Sequence, residues 1–141
     1  GFDYWADEFV DPFGGVLESD LPPASCRILA VRPVSSQPQV LGTSRHITQG
    51  AVDLLEEAWD GDTRTLRGVS RVVANDPYEL RIAAMGPDGP WRVGDLSVSS
   101  VDSPEGVSIQ LVSQEDWRIR GRIDSPRSQD VQWSIRFAPA R

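Results

Sequence analysis

An all-β fold, an antiparallel β-sandwich of about 8–11 short strands, is what this sequence predicts. Two observations carry the prediction. Apolar residues recur with period two through most of the chain, and turn signals interrupt that alternation every ten or so residues. A third supports them: the one helix candidate, 52–58 (Val-Asp-Leu-Leu-Glu-Glu-Ala), has good helix formers but is too short to outweigh a hairpin.

Taken in order, 16–21 and 25–32 read as a first strand pair, broken at Leu21-Pro22-Pro23. Segments 53–59 and 65–73 flank Asp60-Gly61-Asp62, a tight-turn signal, and read as a hairpin. Alternation returns in 78–84, 91–98, 107–112, 117–123 and 131–137. Asp76-Pro77, Pro87-Asp88-Gly89-Pro90, Ser103-Pro104-Glu105-Gly106 and Ser125-Pro126 separate these segments. In the last third, Trp117, Ile119, Gly121 and Ile123 share one face with Arg118, Arg120 and Arg122 opposite, and Trp133, Ile135 and Phe137 repeat the scheme. The arginines are expected on a solvent face, pairing across strands with acidic residues. Whether 97–141 forms a second small sheet or joins the first is left open.

The 141 residues suit a single domain, 1–141, long enough to bury a core without disulfides or metals. Cys26 has no internal partner, and the mostly apolar run it opens predicts a buried thiol in a strand. A net charge of −7 offers no basic stripe for a phosphate backbone, so no nucleic-acid partner is expected. All 14 basic residues are arginine, for which a biased genome is the simpler explanation over a need for forked contacts. No apolar run approaches the roughly 18 residues of a membrane span, so no membrane partner is expected either.

Few residues carry the pattern of a catalytic or cofactor site. His46 is the only histidine, so any histidine-based triad must use it, and a lone loop histidine is more often structural. Asp3, Asp7, Glu8 and Asp11 are dense enough to suggest glycosidase-type carboxylates or oxygen ligands, but a solvated edge explains them more simply and no calcium loop follows. Phosphate-cradling glycine loops, nucleophile elbows and zinc-type spacings are all missing from the sequence. No catalytic residue, metal or cofactor is therefore assigned. Of the five tryptophans, Trp117 and Trp133 share the phase of the core, whereas Trp59 before Asp60-Gly61 and Trp91 after Gly89-Pro90 sit near turns where a sugar could stack on them.

Phe2-Asp3-Tyr4-Trp5-Ala6-Asp7-Glu8-Phe9 places three aromatics within the first five positions, where a free terminus would fray unless they are packed. The chain is accordingly expected to be the C-terminal fragment of a longer protein. Asp3-Tyr4-Trp5, Leu21-Pro22-Pro23, Cys26-Arg27-Ile28-Leu29-Ala30-Val31-Arg32 and Gly42-Thr43-Ser44-Arg45-His46-Ile47-Thr48-Gln49-Gly50 follow one another in this order. That order resembles the C-terminal β-sandwich domain of α-galactosidase-like (melibiase-type) glycoside hydrolases, over roughly the first 60 residues. The resemblance implies a non-catalytic accessory domain packed against the catalytic barrel of the same parent chain, whose catalytic aspartates lie outside this sequence. It also implies an exposed apolar patch on the sandwich where the barrel would sit. A carbohydrate-binding module using exposed tryptophans, Trp59 and Trp91 first, is the alternative. An autonomous carboxylate hydrolase is a third reading, for which the sequence offers no convincing acid pair.

Overall fold

The computed structural model describes residues 1–46, 48–99 and 106–139. Ile47 and the first three residues of the expected Ser103-Pro104-Glu105-Gly106 turn lie outside the described residues. The fold is all-β and antiparallel, with two four-stranded sheets packed face to face and a small three-stranded sheet over one of them.

The strands are β1 (Phe2–Asp3), β2 (Glu8–Phe9), β3 (Leu29–Ala30), β4 (Gln39–Thr43), β5 (Leu54–Asp60), β6 (Thr65–Val72), β7 (Tyr78–Ala83), β8 (Arg92–Val98), β9 (Ser108–Glu115), β10 (Arg118–Asp124) and β11 (Gln129–Ala138). The first sheet has the order β4-β7-β10-β9, the second β5-β6-β11-β8, and the small sheet β2-β1-β3. The last third of the chain therefore serves both large sheets, with β9 and β10 in the first and β8 and β11 in the second. Segment 97–141 is not a sheet of its own.

Alternation decides what faces the core. Strand β11 buries Val131, Trp133, Ile135 and Phe137 and points Gln132, Ser134 and Arg136 outward. Strand β10 buries Ile119, Gly121 and Ile123. Together with Leu66, Val72, Tyr78, Leu80, Ile82 and Val40 these residues form the central core. Trp133 lies over Gly68 on the neighbouring strand, where a Cβ would come within 2.3 Å of the indole, and its Nε1 donates to Ser70 Oγ at 2.9 Å. Gly68 is thus required by the close approach of the ring.

The β5–β6 hairpin forms as expected, with Trp59 opposite Leu66. Its turn is organised by Asp60 Oδ1, which accepts from the backbone N–H of Asp62 and Thr63. Arg64, not Gly61, takes the left-handed conformation, at φ 53°.

Three expectations fail. Residues 16–21 form no strand, and of 25–32 only Leu29–Ala30 is paired, with β1. Without a partner strand the backbone of 11–27 forms no ladder and keeps only local bonds such as Val16 N to Gly14 O, and the segment runs as an exposed arm. Cys26 lies on that arm, exposed and outside any strand, so the buried-thiol expectation is corrected. Trp117 is buried as expected, in a second core cluster with Phe2, Leu41 and Ala83. Arg120 does not line a bare solvent face: the β1–β2 hairpin covers it, placing the Phe2 ring 5.3 Å and the Phe9 ring 5.8 Å from its guanidinium.

The small sheet explains the early aromatics. Phe2 is fully buried against the outer face of the first sheet, beneath the Arg81 guanidinium at 4.1 Å. Arg81 and Arg120 both bond Asp7, and both bond Glu79, so the hairpin is clamped by stacking and by charge together. Asp11 pairs with Arg118, and buried Asp3 with Arg27. Three of the four N-terminal aspartates and glutamates expected on a solvated edge therefore hold the hairpin and the start of the arm in place.

Candidate functional site

Three surface features deserve comparison, and each is positioned by a different part of the fold. The largest apolar one begins where the arm leaves β2. Phe13, Val31, Val34, Leu41, Met85 and Trp117 line a groove of about 340 Å³ beside Gly1. Beyond it the arm carries Val16, 73% exposed, with Leu17 and Leu21 also in solvent. The arm holds itself through Ser25, which donates to Pro22 O, and through Arg27, which reaches Ser19. An exposed segment of this length that keeps several large apolar side chains in water is the kind of surface that a partner covers.

The second feature is the pair singled out in the sequence. Trp59 and Trp91 are brought together from β5 and from the residue before β8, with ring centroids 5.5 Å apart and planes tilted by 59°. Both are half-buried and packed on the central core, and Trp59 also meets Phe137 at 5.9 Å. Trp91 Nε1 donates to Ser36 O at 3.0 Å. Gln114 braces the segment, accepting from Val93 N and donating to Trp91 O. Each indole shares part of its surface with the other, so the pair offers a wedge instead of two parallel flat faces.

The third feature surrounds His46. Thr48 and Gly50, just beyond His46, are tied to Asp53, a buried carboxylate that accepts from Thr43 Oγ1 at 2.7 Å, Tyr78 Oη at 2.7 Å, Thr48 Oγ1 at 3.0 Å and Gly50 N at 3.1 Å. Burial and the adjacent Asp53 carboxylate push the Tyr78 phenol well above its ordinary value, so it stays a donor. Arg45 lies over the Tyr78 ring at 5.3 Å and pairs with Asp76. His46 itself is exposed and contacts Tyr4 and Trp5 through its ring. Among the described residues no group of three or more potential metal ligands occurs.

Sequence reasoning did not single out Trp5, Asp53 or Arg81. Trp5 sits in a segment whose aromatics read as uniformly packed, whereas only Phe2 is fully buried and Trp5 is 53% exposed. Asp53 looks like an outward residue of a strand until Thr43 and Tyr78, ten and twenty-five positions away, are seen to converge on it.

No protein-family description, no curated protein and no solved structure matches this chain.

Proposed function

We propose that this chain is a non-catalytic accessory β-sandwich that packs through its N-terminal flank against a larger body, the catalytic barrel of an α-galactosidase-like glycoside hydrolase parent. The carrying observation is the apolar groove lined by Phe13, Val31 and Val34, continued by Val16, Leu17 and Leu21 on an arm with no covering layer of its own. The clamped hairpin supports the same reading. Phe2, Arg81 and Arg120 fix the first residues rigidly on the sandwich, so a neighbour attached there would be held in one orientation and not merely tethered. The barrel's identity comes from the resemblance of the segments around Asp3-Tyr4-Trp5 and Leu21-Pro22-Pro23.

The test is hydrogen exchange on 12–34 in this chain and in a longer product that includes the coding sequence upstream of it. Docking predicts fast exchange in the short chain and strong protection in the long one. Equal exchange in both, or the absence of any upstream domain, refutes the proposal. A second reading, a carbohydrate-binding module using Trp59 and Trp91, draws on the half-exposure of both indoles at one end of the second sheet.

A further inference from the structure

Trp5 is the most exposed of the large aromatic side chains, yet it is not loose. Its ring centroid lies 5.1 Å from Tyr4 at 83° and 5.0 Å from His46 at 69°, while Tyr4 and His46 are themselves 5.4 Å apart. The three rings form a closed triangle. Two segments carry the rings, the turn at Tyr4-Trp5 and the loop at His46, and each has its backbone tied down. The turn carrying Trp5 is held by Asp3 Oδ1, which accepts from the N–H of Trp5 and of Ala6, both at 3.1 Å, while Asp3 Oδ2 pairs with Arg27. Tyr4 N donates to Ile28 O at 2.9 Å, and beyond His46 the chain is tied to Asp53 through Thr48 Oγ1 and Gly50 N. An indole half in water and packed against two rings has already lost part of the rotamer freedom that binding would otherwise cost.

The geometry also limits the ligand. Rings about 5 Å apart are in contact with one another, which leaves no room between them for a quaternary ammonium of the kind an aromatic cage encloses. With the Tyr4 and His46 rings standing at 83° and 69° to it, the exposed part of the single Trp5 indole is the stacking surface, so a ligand needs a flat, weakly polar face. A nucleobase has one, but its phosphates would meet a chain of net charge −7. A pyranose has one too, in its axial C–H face, with hydroxyls at the rim for which the imidazole of His46 and the hydroxyl of Tyr4, on the two rings packed against Trp5, are hydrogen-bonding partners.

We infer that Trp5, with Tyr4 and His46, is a stacking site for a neutral sugar, distinct from the Trp59–Trp91 pair. The inference goes beyond the docking role and does not rest on it. The test is titration of the chain with neutral gluco-, galacto-, manno- and xylo-oligosaccharides, followed by calorimetry and tryptophan fluorescence. Saturable binding to at least one is expected. Trp5→Ala should raise its Kd by about tenfold or more, Trp5→Phe should retain part of the affinity, His46→Ala should weaken it a few-fold, and Trp91→Phe should leave it unchanged. Thermal melts of Trp5→Ala should fall only slightly below those of the unsubstituted chain, because about half of the lost ring's surface is in solvent. No binding across the panel overturns the inference. So does binding that survives Trp5→Ala or disappears in Trp91→Phe, as does shielding of Trp5 in the longer product without any response to sugar, which would make the triad part of an interface.

Discussion

Replacing Asp53 by alanine tests whether the loop carrying His46 is held by one buried carboxylate. The substitution removes the acceptor of four donors. Two of them, the Tyr78 and Thr43 hydroxyls, belong to fully buried residues and cannot turn to water. Each buried donor left unsatisfied costs about 1–3 kcal/mol. The Thr48 hydroxyl and the Gly50 amide lie nearer the surface and cost less. The expected loss is therefore about 3–5 kcal/mol, which for a chain of this size lowers the thermal midpoint by roughly 10–15 °C. Asp53→Asn should fall between the two, because its amide oxygen still accepts while its nitrogen faces donors. Tyr78→Phe should cost only about 1 kcal/mol, since Asp53 keeps three donors. Urea unfolding followed by tryptophan fluorescence measures all four proteins. A loss below about 1 kcal/mol for Asp53→Ala would refute the reasoning, since it would mean that the two buried hydroxyls find other partners.

Three further outcomes are expected. Gly68→Ala places a methyl 2.3 Å from the Trp133 ring and 2.7 Å from Glu56 O, so it should destabilise by about 2 kcal/mol or more, read from the urea midpoint. Burial acts to raise the Asp3 carboxyl, but the Ala6 N–H, Arg27 and the Trp5 N–H outweigh it and hold the group below its ordinary 3.8. A depressed acid stabilises fully above its unfolded value and loses that contribution as pH falls through the folded one, so the β1–β2 turn should loosen below about pH 4 while the sandwich stays folded. Hydrogen exchange at Trp5 and Ala6 between pH 6 and pH 2 reads this, and Asp3→Asn should abolish the pH dependence. Cys26, exposed on the arm, should react with iodoacetamide in the native chain at nearly the rate of the unfolded chain. Strong native protection would show that the arm packs down.

The first sheet owes its character to being covered twice. Strand β7 buries Leu80 and Ile82 in the central core, and Arg81 and Ala83 beneath the small sheet. Arg81 tolerates this because Asp7, Glu79 and the Thr43 carbonyl occupy its guanidinium while Phe2 stacks upon it. An aromatic ring between arginines thus replaces the water that a two-layer sandwich would leave on that face. The same layer delivers Trp5 to the surface, so the packing of Phe2 and the exposure of Trp5 are two consequences of one hairpin.

Strands β5, β6, β8, β10 and β11 and the turn at Asp60 were legible from the order of residues alone, because each has one face in the core and one in water, and alternation records that difference directly. Strand β4 was not legible. Val40 faces the central core and Leu41 the second cluster, so both sides are apolar and no alternation exists to read. The reverse error fell on 16–21, where apolar residues are present but no partner strand is, since pairing depends on segments distant in the chain. Surface chemistry followed the same division. Residue types confined any histidine triad to His46 and left no material for a multi-histidine metal site, whereas the exposure of Trp5, the mutual packing of Trp59 and Trp91, and the convergence of Thr43, Thr48 and Tyr78 on Asp53 were decided by contacts between segments that only the folded chain brings together.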